Sequence, residues 1–68
     1  MIANDGELQV TMYRIAKFQQ QLVILRAIET NTRNYHASAL GYLAEIDRMQ
    51  LEVREFLSVH PAEFVESK

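Results

Sequence analysis

The chain has 68 residues, enough for one small domain that buries only about 60% of its unfolded surface. It contains no cysteine, which excludes both a disulfide and a thiolate metal site. Nine acidic and seven basic residues give a formal net charge of −2, which argues against a general nucleic-acid binder.

Two further features concern the cellular compartment. No run of 18 apolar residues occurs, so a membrane span is not predicted. The first residues, MIANDGELQ, lack the basic start and apolar core of a signal peptide. From these absences alone we expect a cytoplasmic protein of bacterial type.

The first half of the chain is predicted to form an arm followed by a helix. Residues 1–10 are interpreted as a flexible arm, because the NDG tripeptide within them is typical of turns. Helix 1 is predicted over residues 11–28, where Thr11 is of the right type to cap the first turn.

The second half is predicted to form a loop and a longer helix. Residues 29–37 are polar, rich in Asn and Thr, and without periodicity, so they are interpreted as the connecting loop. Helix 2 is predicted over residues 38–59, capped by Ser38 or Asn34. Pro61 is expected to end it, because proline disfavours helical geometry at the preceding residue.

Two smaller features remain open in this second half. The tail, residues 60–68, carries Phe64 and Val65 without periodic partners, and these either dock on the end of the bundle or fray. Gly41 interrupts an otherwise strong helical pattern. It is expected to mark either a late start of helix 2 or a close approach of another backbone.

Both predicted helices are apolar on two sides. At about 100° per residue, helix 2 has one broad apolar face and a thinner strip on the opposite flank, formed by Leu40, Ala44 and Leu51. Helix 1 has a main seam and a second face rich in small residues. The seam consists of Ile15, Phe18, Leu22 and Leu25, and the second face of Met12, Ala16, Val23 and Ala27.

These patterns predict an all-α fold, an antiparallel two-helix hairpin that self-associates into a four-helix bundle. One hairpin leaves the outer apolar faces in water, so a homodimer is favoured, with a tetramer as the larger form. The competing interpretation is an unstable monomer, or a fragment that folds only on another protein. The predicted interface consists of Met12, Ile15, Phe18, Leu22, Leu25, Leu40, Leu43, Ile46, Met49, Val53, Phe56 and Leu57.

A search for catalytic or metal-binding patterns predicts neither. His36 and His60 are 24 positions apart, too far for a shared site within one hairpin. The Glu-x-x-His units of di-iron bundles do not occur, nor does a glycine-rich phosphate loop. We therefore predict a non-enzymatic protein without cofactor or metal.

Gln50 is the one polar residue on the broad apolar face of helix 2. Two interpretations are open. The side chain lies at the edge of the seam and reaches water, or it is a buried amide that bonds its symmetry mate and fixes the register, as polar residues do in coiled coils.

Two stretches carry a resemblance. ELQVTMYRIAKFQQQL, and GYLAEIDRMQLEVREFL after a polar loop, resemble a group of short bacterial proteins with an ELQVT-x-x-x-I-x-x-FQ opening and a GY-x-AEI-x-RMQ-x-EV second helix. Lead segments beside helix-turn-helix antitoxin regulators are distantly similar. The resemblance implies a helical fold and a bacterial source, without an activity. The matching residues are Glu7 to Thr11, Ile15, Phe18, Gln19, Gly41, Tyr42, Ala44 to Ile46, Arg48 to Gln50, Glu52 and Val53.

Two functions compete at this stage. The favoured one is a small self-associating interaction module, a regulatory or antitoxin-like accessory that also contacts an unidentified protein. The alternative is binding of nucleic acid or an anionic surface through the basic residues of helix 1. Those residues are Arg14, Lys17 and Arg26, joined by Arg33 from the loop.

Overall fold

The structure, a computed structural model, describes the backbone of residues 1–66 and the side chains of residues 1–63. Three helices follow one another along this part of the chain: α1 (Asp5–Ile28), α2 (Thr32–Leu57) and α3 (Pro61–Glu66). The two long helices pack against each other as a hairpin. The all-helical hairpin predicted from the sequence is therefore confirmed.

Helix α1 begins six residues earlier than predicted, so residues 5–10 are helical rather than part of a flexible arm. Asn4 is the cap: its side-chain oxygen accepts the N–H of Glu7 at 2.8 Å. The Glu7 carboxylate in turn accepts the N–H of Ala3 at 2.8 Å, a variant of the capping box. Thr11 lies inside the helix and donates its hydroxyl to the carbonyl of Glu7.

Apolar anchors also hold the start of α1. The side chains of Ile2 and Leu8 are both buried, although both residues lie in the segment predicted to be a flexible arm. Asp5 and Glu7 add negative charge to the first turn, where the helix dipole is positive. Burial, capping and charge together extend the helix to Asp5.

The connection between α1 and α2 has three residues, 29–31, instead of the nine predicted. Asn31 caps α2 by accepting the N–H of Asn34 at 3.1 Å, so neither Ser38 nor Asn34 is the cap. The Asn- and Thr-rich stretch that lacks apolar periodicity is the cap and first turns of α2. Polar residues are compatible with a helix there because none of residues 32–38 is buried, and Ala39 is the first buried residue of α2.

Helix α2 ends at Leu57, two residues before the predicted end, and Ser58 follows as its cap. Pro61 then opens the short helix α3, where a proline in the first turn removes a backbone N–H that needs no partner. His60 precedes it and accepts the N–H of Ala62 at 3.0 Å through Nδ1. The prediction for the side chains of Phe64 and Val65 lies outside the described residues.

The core of the hairpin is small and linear. Ile2, Leu8, Ala39, Ile46 and Met49 are its buried apolar residues among those described, and Met49 is only 2% exposed. The Phe18 and Tyr42 rings meet edge to face across the helices, with centroids 5.6 Å apart. Among the described residues, the packing between helices is therefore the seam between α1 and α2.

The hairpin is an elongated rod, 56 × 17 × 12 Å, with a Cα radius of gyration of 16.1 Å. A compact chain of this length would have a radius near 11 Å. Of the helices described, not one combines the length and apolar character that a membrane crossing needs.

Candidate functional site

The twelve residues predicted to form an oligomer interface occupy three different environments in the hairpin. Two of them, Ile46 and Met49, are buried within the single chain and are already covered without a second copy. A second group is half-buried along the seam between α1 and α2: Ile15, Phe18, Leu22, Leu25, Val53 and Phe56. The third group is exposed: Met12, Leu40, Leu43 and Leu57.

The exposed members of that set lie beside other uncovered apolar side chains, so the two-sided character predicted for both helices is visible in the hairpin. Helix α1 also exposes apolar side chains outside its two predicted apolar faces. These are Val10, Tyr13, Ile24 and Ile28. The second strip of α2 is exposed at both of its leucines, Leu40 and Leu51.

The two sides of the hairpin differ in charge. Because the helices are antiparallel, positions turned the same way from the seam lie on the same side of the hairpin in both. About a quarter turn from the seam in the sense of chain rotation, each helix contributes one glutamine and two apolar residues, with one arginine beside them, Arg26 on α1 and Arg54 on α2. We call this surface the neutral face; it consists of Met12, Gln19, Val23, Leu43, Gln50 and Leu57, all exposed.

The opposite side, the charged face, carries Arg14, Lys17, Glu45, Arg48 and Glu52, and the exposed Val10 lies beside them. Arg48 donates from Nη2 to Glu45 at 2.7 Å and from Nη1 to Glu52 at 2.7 Å. These are i,i+3 and i,i+4 pairs of one helix, partly open to solvent.

The pKa of Glu45 reflects this cluster. The hydrogen bond from Arg48 and that residue's positive charge lower the pKa of the Glu45 carboxyl, against a smaller opposing effect of desolvation. The positive charge of Arg14 lowers it further, which places α1's Arg14 near α2's Glu45. In turn, the Glu45 carboxylate, with a smaller effect of Glu52, raises the pKa of the Arg48 guanidinium. Glu45, Arg48 and Glu52 thus form ion pairs that are satisfied within one chain.

The basic residues proposed for nucleic-acid binding are spread around the hairpin. Arg14 and Lys17 lie one turn apart, and the Lys17 ammonium stands 5.9 Å from the centroid of the Tyr13 ring. Arg26 lies about 120° or more around α1 from both of them. Arg33 lies in the first turn of α2. Only Arg14 and Lys17 therefore share a side.

Histidines and carboxylates do not assemble into a metal site in the part of the chain that is described, where no group of three potential ligands comes together. His36 lies in the second turn of α2 and His60 beyond its end, so about 36 Å of chain separates them at 1.5 Å per residue.

A cleft of about 1070 Å³ opens at the end of the hairpin where the N-terminal residues face the junction of α2 and α3. Its apolar lining includes Ile2, Phe56 and Val59, and its rim includes the carboxylates of Glu55 and Glu63. The His60 backbone N–H donates to Glu63, so that carboxylate serves the start of α3. His60 lines the same cleft, beside Glu63.

The hairpin shows the positions of Gln50 and Gly41, for each of which the sequence left two interpretations open. The Gln50 side chain is exposed in the hairpin, at the edge of the seam. Gly41 lies well inside α2, so it does not mark a late start. Apart from its chain neighbours and the backbone of its own helix turns, a Cβ added there would meet no heavy atom of the described chain within 4 Å, so Gly41 marks no close approach of another backbone in the hairpin either.

Comparison with protein-family models, with curated proteins and with solved structures gave no match for this chain.

Proposed function

We propose that this chain is a non-enzymatic interaction module that works as a homodimer, two hairpins packed side by side as a four-helix bundle. The observation that carries the proposal is the area that a single hairpin leaves in water. Its accessible surface is 5598 Å². A folded monomer of 7.9 kDa typically exposes about 4,400 Å².

The difference, about 1,200 Å², is comparable with what one partner buries in a stable complex, about 800 Å². Much of the uncovered surface is apolar and belongs to helices, since Met12, Val23, Leu43 and Leu57 are all exposed. Packing two such rods side by side would cover apolar stripes on all four long helices, which is the arrangement of a four-helix bundle. The surface excess and its composition therefore both favour association.

A four-helix bundle also suits a function without chemistry. The described residues form an extensive helical surface, and the core has only five buried apolar side chains. The ion pairs of Arg48 are made within one helix. The resemblance to short bacterial proteins and to antitoxin lead segments adds a regulatory or antitoxin-like role to the proposal. In that role a bundle surface would contact a further protein.

Sedimentation equilibrium at micromolar concentration tests the self-association. The expected result is a mass of two chains, twice 7.9 kDa, for a protein whose circular dichroism is helical. A mass of four chains would retain self-association and replace the dimer with a tetramer. A helical, cooperatively folded species with the mass of one chain would overturn the proposal.

A further inference from the structure

We propose that the second copy docks on the neutral face, the side formed by Met12, Gln19, Val23, Leu43, Gln50 and Leu57. This inference rests on the proposed self-association and adds to it which side of the hairpin is buried. All six side chains are exposed in the single hairpin and none carries a charge. They come from both helices, so a partner laid on this side would contact α1 and α2 together.

The alternative side is unsuited to burial because it carries the ion pairs of Arg48 together with the charges of Arg14 and Lys17. Arg48 holds Glu45 and Glu52 at 2.7 Å each, and the positive charge of Arg14 acts on Glu45 from the other helix. Covering this cluster would take at least four charged groups out of water without giving them new partners. Desolvation of ion pairs of this kind offsets their attraction. The charged face therefore stays in solvent.

The neutral face also meets the condition that symmetry imposes on a dimer. In a two-fold interface each copy presents the same surface, so a side with an excess of one charge repels itself. The charged residues nearest the neutral face are Asp5, Arg26, Asp47 and Arg54, two of each sign. They lie at its ends and outer edges, where a polar rim belongs.

The two glutamines give the face a second property. Gln19 and Gln50 are both exposed, and each brings an amide that can donate and accept. Across a two-fold axis such amides can pair with their symmetry mates or with each other, which fixes the register of the bundle. The proposed interface thus unites the two interpretations of Gln50, because the side chain reaches water in one hairpin and a partner amide in two.

Two valines on α1 provide a matched test. Val23 lies on the neutral face and is 68% exposed, whereas Val10 lies on the opposite side and is 59% exposed. Each has an arginine one turn later, Arg26 and Arg14 respectively, and glutamate is a better helix former than valine. Val23→Glu and Val10→Glu should therefore both fold, which circular dichroism checks.

Sedimentation equilibrium of these two variants and the unaltered chain gives the dissociation constants. We expect Val23→Glu to weaken self-association by about 10-fold or more, because the interface would bury the new carboxylate. Val10→Glu should change the dissociation constant by less than about 3-fold, because its carboxylate stays in water. Leu43→Glu and Leu51→Glu repeat the comparison on α2, with exposures of 45% and 52%. Leu43→Glu should act like Val23→Glu.

Each remaining outcome separates the two proposals. If the unaltered chain self-associates and Val10→Glu disrupts it as much as Val23→Glu, the interface is not the neutral face, and the homodimer survives without this assignment. The same conclusion follows if Val10→Glu alone disrupts it. If the unaltered chain is a folded monomer, the proposed function fails before the face is tested.

Discussion

Gly41 is a glycine inside a helix, at a position where a side chain could be accommodated. It lies in the interior of α2 with open space where a side chain would begin. Glycine in a helix interior costs up to about 1 kcal/mol relative to alanine, since it orders a more flexible backbone. We expect Gly41→Ala to raise the free energy of unfolding by about 0.5–1 kcal/mol in urea denaturation.

The outcome for Gly41 also bears on assembly, because Gly41 lies on the side away from the neutral face. Gly41→Ala should leave the dissociation constant of the dimer unchanged. A destabilised or dissociated variant would mean that another backbone approaches α2 at this glycine, contrary to the assigned interface.

The cap of α2 is a second feature of residue scale. Asn31→Ala removes the oxygen that accepts the Asn34 N–H, and a lost cap of this kind costs about 1 kcal/mol. Ser38→Ala should be neutral or slightly stabilising, because Ser38 is exposed inside the helix and alanine is the better helix former. Urea denaturation followed by circular dichroism compares them. Equal losses in both variants would favour a helix that begins near residue 38.

The ion pairs of the charged face predict a specific pH dependence. Arg48, with a contribution from Arg14, lowers the pKa of Glu45 in the folded chain. A lowered pKa stabilises the fold above the ordinary carboxyl value of about 4.3, and that stability is lost as the pH falls through the folded value. We expect Glu45→Gln to reduce the drop in Tm of the unaltered chain between pH 5 and pH 3.

Thermal melts at low ionic strength measure this effect, which salt should weaken because the pairs are partly exposed. Asp47→Asn is the control, since it removes an exposed carboxylate that lies outside the ion-pair cluster. A drop in Tm that is the same for Glu45→Gln and the unaltered chain would contradict the cause given for the lowered pKa.

At the scale of the helices, the seam between α1 and α2 holds the hairpin together. Met49 is the largest fully buried side chain among the described residues, whereas Leu51, two residues later, is half exposed. Met49→Ala should cost about 2–5 kcal/mol by leaving a cavity, and Leu51→Ala should stay within about 0.5 kcal/mol. Urea denaturation at one fixed protein concentration measures both.

Met49→Ala is a large perturbation for so small a core, and Met49→Leu keeps the test informative if it does not fold. That volume-conserving change should cost less than about 1.5 kcal/mol. Equal costs for Met49→Ala and Leu51→Ala would show that α1 does not pack on the face that buries Met49.

The same elements show what the sequence could and could not predict. The hairpin and its seam follow from apolar periodicity, because residues such as Ile46 and Met49 recur at helical spacing. The start of α1 was missed because the NDG tripeptide is typical of turns and hides the box formed by Asn4 and Glu7. The Asn4-x-x-Glu7 spacing is the signal that could have located it.

The start of α2 was missed for a related reason. Its first turns lie beyond the core, so they carry polar residues and lack the periodicity on which the prediction depended. The side of the hairpin on which each exposed residue lies was also beyond reach, because it depends on the antiparallel packing of α1 and α2. The division into a neutral and a charged face therefore required the structure.

At the scale of the whole molecule, the hairpin is a rod that leaves about 1,200 Å² more surface in water than is typical for its mass. Two-fold packing through the neutral face would lay two rods side by side. Such a dimer doubles the mass while lengthening the particle little. Packing end to end would instead nearly double the length.

Small-angle X-ray scattering tests this account most directly, because one curve reports both mass and maximum dimension. We expect the mass of two chains, with a maximum dimension close to that of a single hairpin, whose Cα extent is 56 Å. A two-chain mass with nearly twice that length would contradict side-by-side packing. The mass of one folded chain at millimolar concentration would contradict self-association itself.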